Sequence, residues 1–323
     1  MAIPPTIRLI WLGSRLPALP WLAVRSLLAR AGAERVVLHT DDPRLGDDPL
    51  VGHLLGLPGF ALDAEPPDLA DLPAPMLRAL TDLAARLQRP AARADLLRLQ
   101  ILWQHGGLYV DTDVIALQPF APLWSHAGVA GLEHVCLPAG VVHSRSPLRW
   151  ARAGLLLGAR ELIRHLPNAP RAFATVAHHY DLACNNAVLG FAPRSAVVQN
   201  LLNDIAGMPI HQALELYELG PRLLERATRN RSIPGLRLLP PPVFFSLAPE
   251  ICGAVLRPRP RRQPLWPHPD ALLVHLYDSV LARQLGRPLD APWLLGPGRR
   301  SWLAEWLAPW LDELAQWAPT GRA

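Results

Sequence analysis

One stretch constrains this chain more than any other. Residues 93–113 read Arg-Ala-Asp-Leu-Leu-Arg-Leu-Gln-Ile-Leu-Trp-Gln-His-Gly-Gly-Leu-Tyr-Val-Asp-Thr-Asp. Leu96, Leu97, Leu99, Leu102 and Trp103 give a helix a broad apolar face, which has to lie against something. Asp95 and Arg98 stand one turn apart on a shared helical surface. Gly106-Gly107 permits a sharp reversal into a short apolar strand, residues 108–110. That strand delivers Asp111 and Asp113 to its C-terminal end, which is where ligands bind in open α/β sheets. Two carboxylates this close in a dry cleft do not both stay ionised without a cation. Hard oxygen ligands suit Mg²⁺ or Mn²⁺, the ions that accompany nucleotide phosphates.

A strand of this kind needs partner strands, and the N-terminus supplies them. Residues 7–12 form a short apolar run bounded by Pro5 and Gly13. Residues 22–31 read as a helix ending at Gly32, and residues 35–39 as a second strand stopped by Thr40-Asp41-Asp42-Pro43. Strand, helix, strand is a βαβ unit and predicts parallel pairing. Residues 43–75 are rich in Pro, Asp and Gly and read as irregular, with a short strand near Phe60-Ala61-Leu62. Helices are expected at 76–88 and 91–105, split by Pro90. Further strands are expected at 129–132, 140–143 and 185–190, and helices at 147–165, 195–205 and 221–228. Residues 233–267 read as Pro-rich loop, with an exposed basic stretch at Arg257, Arg259, Arg261 and Arg262. A late strand is expected at 271–277. A terminal helix at 301–317 should kink or break at Pro309. The expected fold is α/β: one domain with a mixed central sheet over residues 1–290, and a helical C-terminal extension, residues 291–323, packed on it.

Composition removes several alternatives. Half of the 323 residues are hydrophobic and 18% are charged, which excludes a disordered chain. No apolar run is long enough for a spanning helix. Cys136, Cys184 and Cys252 are scattered and odd in number, so no disulfide framework is expected. With no secretory-type leader, the expected compartment is the cytoplasm. All 32 basic residues are Arg and 36 residues are Pro, a bias toward GC-rich codons. The net charge of +5 therefore argues little for nucleic acid. The basic stretch has no interleaved aromatics, and no nucleic-acid partner is expected.

Helix, Gly-Gly, strand and Asp-x-Asp in this order resemble the sugar-binding region of the DXD-motif glycosyltransferases, of the family 32-like kind. The pattern there is R-x-x-D-x-x-R-x-x-x-L-x-x-x-G-G-x-Y-x-D-x-D. This chain meets it at Arg93, Asp95 (one residue nearer Arg93), Arg98, Leu102, Gly106, Gly107, Tyr109, Asp111 and Asp113. Residues 3–13 resemble the family's I-P-K-x-I-H-x-x-W-x-G, with Arg8 in the place of the usual His. Residues 185–190 (Asn-Asn-Ala-Val-Leu-Gly) resemble the segment that presents an Asn to the donor sugar. Gly220-Pro221 resembles a T-G-P turn with Leu219 for Thr, and His275-Leu276-Tyr277 a late H-x-W with Tyr for Trp.

The resemblance implies a GT-A-like, Rossmann-like fold and a nucleotide-sugar donor, UDP-sugar favoured over GDP-sugar. It implies a divalent cation, Mn²⁺ or Mg²⁺, and retention of anomeric configuration. The acceptor it implies is a saccharide or lipid-linked saccharide in surface-polysaccharide synthesis. By position it implies donor binding by Trp11 (at the base), Asp95, Arg98, Asp111 and Asn186 or else Asn185. It implies metal ligation by Asp111, Asp113 and His275, with Asp111 and Asp113 at the catalytic centre and no nucleophile named. Trp11 and His275 read equally well as ordinary core side chains, Asp95 with Arg98 also reads as a surface ion pair, and Tyr109 is expected to pack.

Other readings remain. Residues 110–115 also resemble the first motif of haloacid-dehalogenase-like phosphohydrolases, in which Asp111 is phosphorylated. That motif normally follows a first strand, and this chain has no Lys for the usual phosphate-stabilising position. A catalytically inactive sugar-nucleotide-binding protein is a third reading, against which both aspartates speak. In the terminal helix, Trp302, Trp306 and Trp310 recur every four residues beside Leu303, Leu307, Leu311 and Leu314. Such a face fits a membrane interface, so peripheral contact with the inner face of the membrane is a second localisation. Glu305, Asp312 and Glu313 make the helix acidic, whereas interfacial helices are basic. Packing onto the domain is the stronger expectation.

Overall fold

The apolar runs in the first third of the chain pair side by side. β1 (Thr6–Trp11), β2 (Arg35–Thr40) and β3 (Phe60–Asp63) are parallel, with Ile7 opposite Val36 and Val36 opposite Phe60. β4 (Gly107–Val110) runs parallel to β1 on its other side, Leu108 opposite Ile7. β5 (Val114–Ala116) leaves this sheet. β6 (Gly128–Val135) and β7 (Asp181–Phe191) pair antiparallel, β7 joins β4 antiparallel, and β8 (Arg237–Leu239) closes beside β6 in parallel. The result is a seven-stranded mixed sheet of order β3-β2-β1-β4-β7-β6-β8. β9 (Leu273–His275) pairs antiparallel with β5 in a separate two-stranded ribbon. The computed structural model describes residues 1–229, 232–258 and 268–318, so Arg259, Arg261 and Arg262 lie outside the described residues.

β1, β2 and β4 are mainly apolar, with Arg8 and His39 as buried exceptions, because both faces of the sheet are covered. Side chains alternate across a strand, and the two cores show it. Leu108 and Val110 join a core that includes helix Ala18–Arg30 and the terminal helix Trp302–Trp317. Tyr109, between them, joins the opposite core, built from helices Ala74–Arg86, Pro90–His105 and Ala196–Ala206.

Three expectations need correction. Residues 43–75 are not mostly irregular: helix Pro49–Leu55 buries Leu50, Val51 and Leu54. Asp48 caps it, its carboxylate accepting from the amides of Leu50 and Val51, and Pro49 takes the first-turn position. Residues 140–143 are not a strand; helix Ala139–Val142 occupies that ground, an ambiguity inherent in a short apolar run. The terminal helix runs through Pro309 as one element. Pro309 faces solvent, where water can meet the carbonyl it leaves without a donor. Burial of Leu303, Leu307, Trp310 and Leu311 on the inner side keeps the helix whole.

The tryptophan stripe is occupied by the protein itself. Trp306 and Trp310 are buried, and the Arg30 guanidinium lies 4.7 Å over the Trp310 ring. Glu313 accepts from Arg25 at 2.9 Å and lies 3.0 Å from His53. No helix among the described residues is long and apolar enough to cross a membrane. Cys136, Cys184 and Cys252 are free and buried.

Arg8 does structural work across three strands. Its Nε donates to the Gly106 carbonyl at 2.6 Å and its Nη1 meets His39 Nε2 at 3.2 Å. His39 Nδ1 lies 3.2 Å from Asp63. Burial, and then the Arg8 charge, push His39 down to about 3, so the ring is neutral and relays Arg8 to Asp63. The turn that Arg8 holds is tight. Gly107 has φ +105°, and a Cβ there would stand 2.6 Å from the Thr6 carbonyl oxygen. Backbone cannot swing away as a side chain tip can, so Gly107→Ala should cost about 2–3 kcal/mol. Urea unfolding at neutral pH reads it; a loss below about 0.5 kcal/mol would mean the turn relaxes freely.

Candidate active site

The site forms where β4 ends. Tyr109 and Asp111 share one side of the strand, and the Tyr109 hydroxyl donates to Asp111 Oδ1 at 2.6 Å. Arg98, on the helix that feeds β4, reaches under both. Its guanidinium lies 4.4 Å over the Tyr109 ring, 3.2 Å from Asp111 Oδ1 and 2.9 Å from Asp95 Oδ1. It also donates to the Asn186 carbonyl at 2.5 Å, across in β7. Asn186 returns the contact, its amide donating to Asp95 Oδ1 at 2.7 Å. Arg98 and Asp95 are thus a buried node between helix, β4 and β7, not a surface pair. Tyr109 does more than pack.

β5 and β9 complete the site. Register opposes Val114 to His275, and the Leu276 amide donates to the Asp113 carbonyl at 2.9 Å. His275 Nε2 comes to 3.1 Å from Asp113 Oδ1. Past it, Tyr277 takes a left-handed conformation (φ 51°), and the Asp278 amide donates to Asp113 Oδ2 at 2.9 Å. Asp111, Asp113 and His275 offer ligand atoms all within 4.8 Å of one another.

The electrostatics follow from burial opposed by neighbours. Burial pushes Asp95 up, against the pull of Arg98. Burial would raise Asp113 too, but His275 and the Asp278 amide outweigh it and hold Asp113 below the ordinary value. Burial would lower His275, but the Asp113 charge and hydrogen bond hold it above. Its Nδ1 is buried with no hydrogen-bond partner. Two carboxylates and an imidazole are the donor set that Mn²⁺ accepts and Mg²⁺ tolerates.

A cleft of about 390 Å³ opens on this group, lined by Trp11, Arg98, Tyr109, Asp111, Asp113 and Asp278 among others. Trp11 lies at its edge, its ring N–H donating to the Arg15 carbonyl at 2.7 Å. Gly220 packs tightly on the Asp95–Asn186 pair: a Cβ there would run into the Asn186 amide and the Asp95 carboxylate. The two asparagines face apart. Asn186 joins Asp95, whereas Asn185 accepts from the Ala187 amide at 2.7 Å and bonds the carboxyl of Glu133.

Residues 35–130 match the family model for the glycosyltransferase sugar-binding region containing DXD motif. Over that stretch the chain carries a glycosyltransferase sugar-binding region with the DXD motif. The match takes in β2 through β5 and both aspartates. It decides against the phosphohydrolase reading of Asp111. The seven-stranded mixed sheet agrees with the α/β fold class expected of the sequence. No curated protein matches the sequence. Among solved structures, the PaToxG glycosyltransferase is 14% identical, with 72% of this chain and 70% of that chain covered, at a TM-score of 0.41. The glycosyltransferase domain of the YGT toxin, in ligand-free and UDP-bound crystal structures, is 10% identical, with coverage of 74% and 80%, at TM-scores of 0.41 and 0.42. Likenesses of that extent add nothing to the assignment.

Two residues of this glycosyltransferase site carried no motif. Glu133, on β6, accepts from the Tyr277 hydroxyl at 3.0 Å, and burial raises its carboxyl. Asp278 lines the cleft, raised by burial and then by Asp113. A one-residue register choice on β6 was needed to find the first, and the left-handed turn at Tyr277 to find the second.

Proposed function

We propose that this glycosyltransferase requires a divalent cation held by Asp111, Asp113 and His275, and transfers sugar with retention of anomeric configuration. The donor is a UDP-sugar in preference to a GDP-sugar, and the acceptor a saccharide or lipid-linked saccharide on the cytoplasmic side of the membrane. One observation carries the cation: the Asp111 and Asp113 carboxylates that line the cleft and the buried His275 imidazole beside them offer ligand atoms all within 4.8 Å of one another. Retention, donor base and acceptor extend the family resemblance.

The cation, when bound, supplies positive charge to the donor diphosphate. Arg98 keeps Asp95 and Asp111 oriented through its fork of donors. Asp95, fixed by Asn186, presents its carboxylate to sugar hydroxyls. Trp11 offers a flat edge to the nucleotide base. As the bond from sugar C1 to the diphosphate oxygen breaks, the acceptor oxygen bonds C1 and its proton passes to the departing diphosphate oxygen. The charge that develops on the leaving diphosphate is met by groups already in place.

The test is calorimetric titration of the purified chain with UDP and with GDP, in Mn²⁺ and in EDTA. UDP should bind, and Mn²⁺ should tighten it by about tenfold or more, which is 1.4 kcal/mol. Binding of GDP alone would reverse the base preference. Equal binding in EDTA would remove the cation from the proposal.

A further inference from the structure

Helix Pro147–Ile163 is packed back to front. Its inward face carries Ala153 and Arg160, with Leu156 and Ile163 half-buried. Arg160 is 1% exposed, bonded to Glu250 at 2.8 Å and to the His134 carbonyl at 2.5 Å, and capped by the rings of Phe173 and Tyr180. Its outward face carries Leu148, Leu155 and Leu162, at 80%, 75% and 74% exposure. A spacing of seven returns a helical residue to nearly the same bearing, so the three leucines form one line. Gly154 and Gly158, beside that line, open onto empty space. An apolar line of this length on a surface marks an interaction site.

The charge around the line says what covers it. Arg145 and Arg149 are exposed; Arg152, also exposed, pairs with Asp181 at 3.0 Å, and half-exposed Arg164 with Glu161 at 2.8 Å, so four arginines stand against two acids. Leucines on one face with arginines along the border are the composition of a helix that lies in a bilayer interface. A second copy of the chain would set one net-positive face against another.

We propose that this helix lies on an anionic bilayer surface, with Leu148, Leu155 and Leu162 at the acyl boundary and the flanking arginines among the headgroup phosphates. Anionic lipid is favoured because each arginine near the surface is attracted to the negative headgroups. The membrane contact considered for the terminal tryptophan helix therefore moves to this one. The same helix gives Arg149 and Arg152 to the wall of a cleft of about 520 Å³ that also takes in Leu182 and Cys184 of β7. β7 carries Asn185 and Asn186, so the bilayer-facing element stands beside the strand that borders the donor cleft. The proposal does not depend on which nucleotide sugar is used.

The test is co-sedimentation of the full chain with sucrose-loaded vesicles. One set is phosphatidylcholine alone; the other contains about one third phosphatidylglycerol. Binding to the anionic vesicles should exceed binding to the neutral ones by about tenfold and fall steeply at high salt. The double variant Leu155→Asp with Leu162→Asp should lose about tenfold or more on anionic vesicles. Both positions are exposed, so its thermal melt should stay near that of the natural chain. The double variant Arg145→Glu with Arg149→Glu should lose the preference for anionic vesicles. No binding of the natural chain to anionic vesicles overturns the proposal, and so does unchanged binding of both variants. A dimer in buffer, seen by light scattering and dissolved by Leu155→Asp, would assign the face to a second copy instead.

Discussion

Asp113→Ala should lower kcat/KM for sugar transfer by on the order of 10³-fold, the scale set by removing one fixed electrostatic partner from an enclosed site. The effect is larger than the loss of one ligand because Asp113 organises two others. Its Oδ1 holds His275 at 3.1 Å, and its Oδ2 takes the Asp278 amide at 2.9 Å. Without the carboxylate, burial acts on His275 against only the Asp111 and Glu133 charges, so the imidazole loses the main support for its proton, while the β9 turn loses its tether. Asp113→Asn separates these roles. The amide oxygen still accepts from Asp278, so the turn survives, but the charge is gone. The two variants should therefore fall together in kcat/KM and differ in thermal stability, Ala below Asn. Steady-state kinetics over a Mn²⁺ series reads the first, and a thermal melt the second. An Asn variant that keeps full activity would place the cation elsewhere.

What was legible in the sequence was whatever depended on neighbours along the chain. β1, β2 and β4 are short apolar runs with turn residues at their ends, and the helix before β4 carries its apolar face and its Gly-Gly stop within a single stretch. The Asp111 and Asp113 positions followed from that stretch. Other features depended on long-range pairing and were not legible. β5 meets β9 across most of the second half of the chain. Only that pairing brings His275 to Asp113, and only the family resemblance pointed to it. Arg8 stood out as a departure from a pattern, yet its contact with Gly106 and His39 needs three strands in register. The Asp48-Pro49 pair lies in a stretch whose Pro, Asp and Gly content reads as irregular, yet it is a cap and a first turn. Helix Pro147–Ile163 was legible as a helix, but not which way it faces. Apolar periodicity assumes leucines turn inward, and here a buried ion pair at Arg160 and Glu250 turns them out.

Arg98→Met should destabilise the fold by about 3–5 kcal/mol at neutral pH, the range for removing one partner of a buried charge network. Met keeps the length and apolar stem of Arg, so the loss is electrostatic. Arg98 is the counter-charge to Asp95 and Asp111 and the donor to the Asn186 carbonyl. The variant leaves Asp95 buried with only the Asn186 amide to support it. Burial already holds the Asp95 carboxyl above its ordinary value, and losing Arg98 raises it further. An acid whose folded pKa lies above its unfolded one binds more protons in the fold. Stability from that group is then present at low pH and lost as pH rises from the unfolded value through the folded one. The penalty of Arg98→Met should accordingly be smaller near pH 4.5 than near pH 7.5. The acid sensitivity contributed by His39 is common to both proteins and cancels in the difference. Urea unfolding of both chains at the two pH values measures it. A penalty that is the same at both, or below about 1 kcal/mol at either, would mean that Arg98 does not carry the charge of this site. Arg98→Lys supplies charge without the planar fork. It should recover part of the stability and little of the nucleotide affinity, because orientation of the carboxylates, and not charge alone, is what the guanidinium gives them.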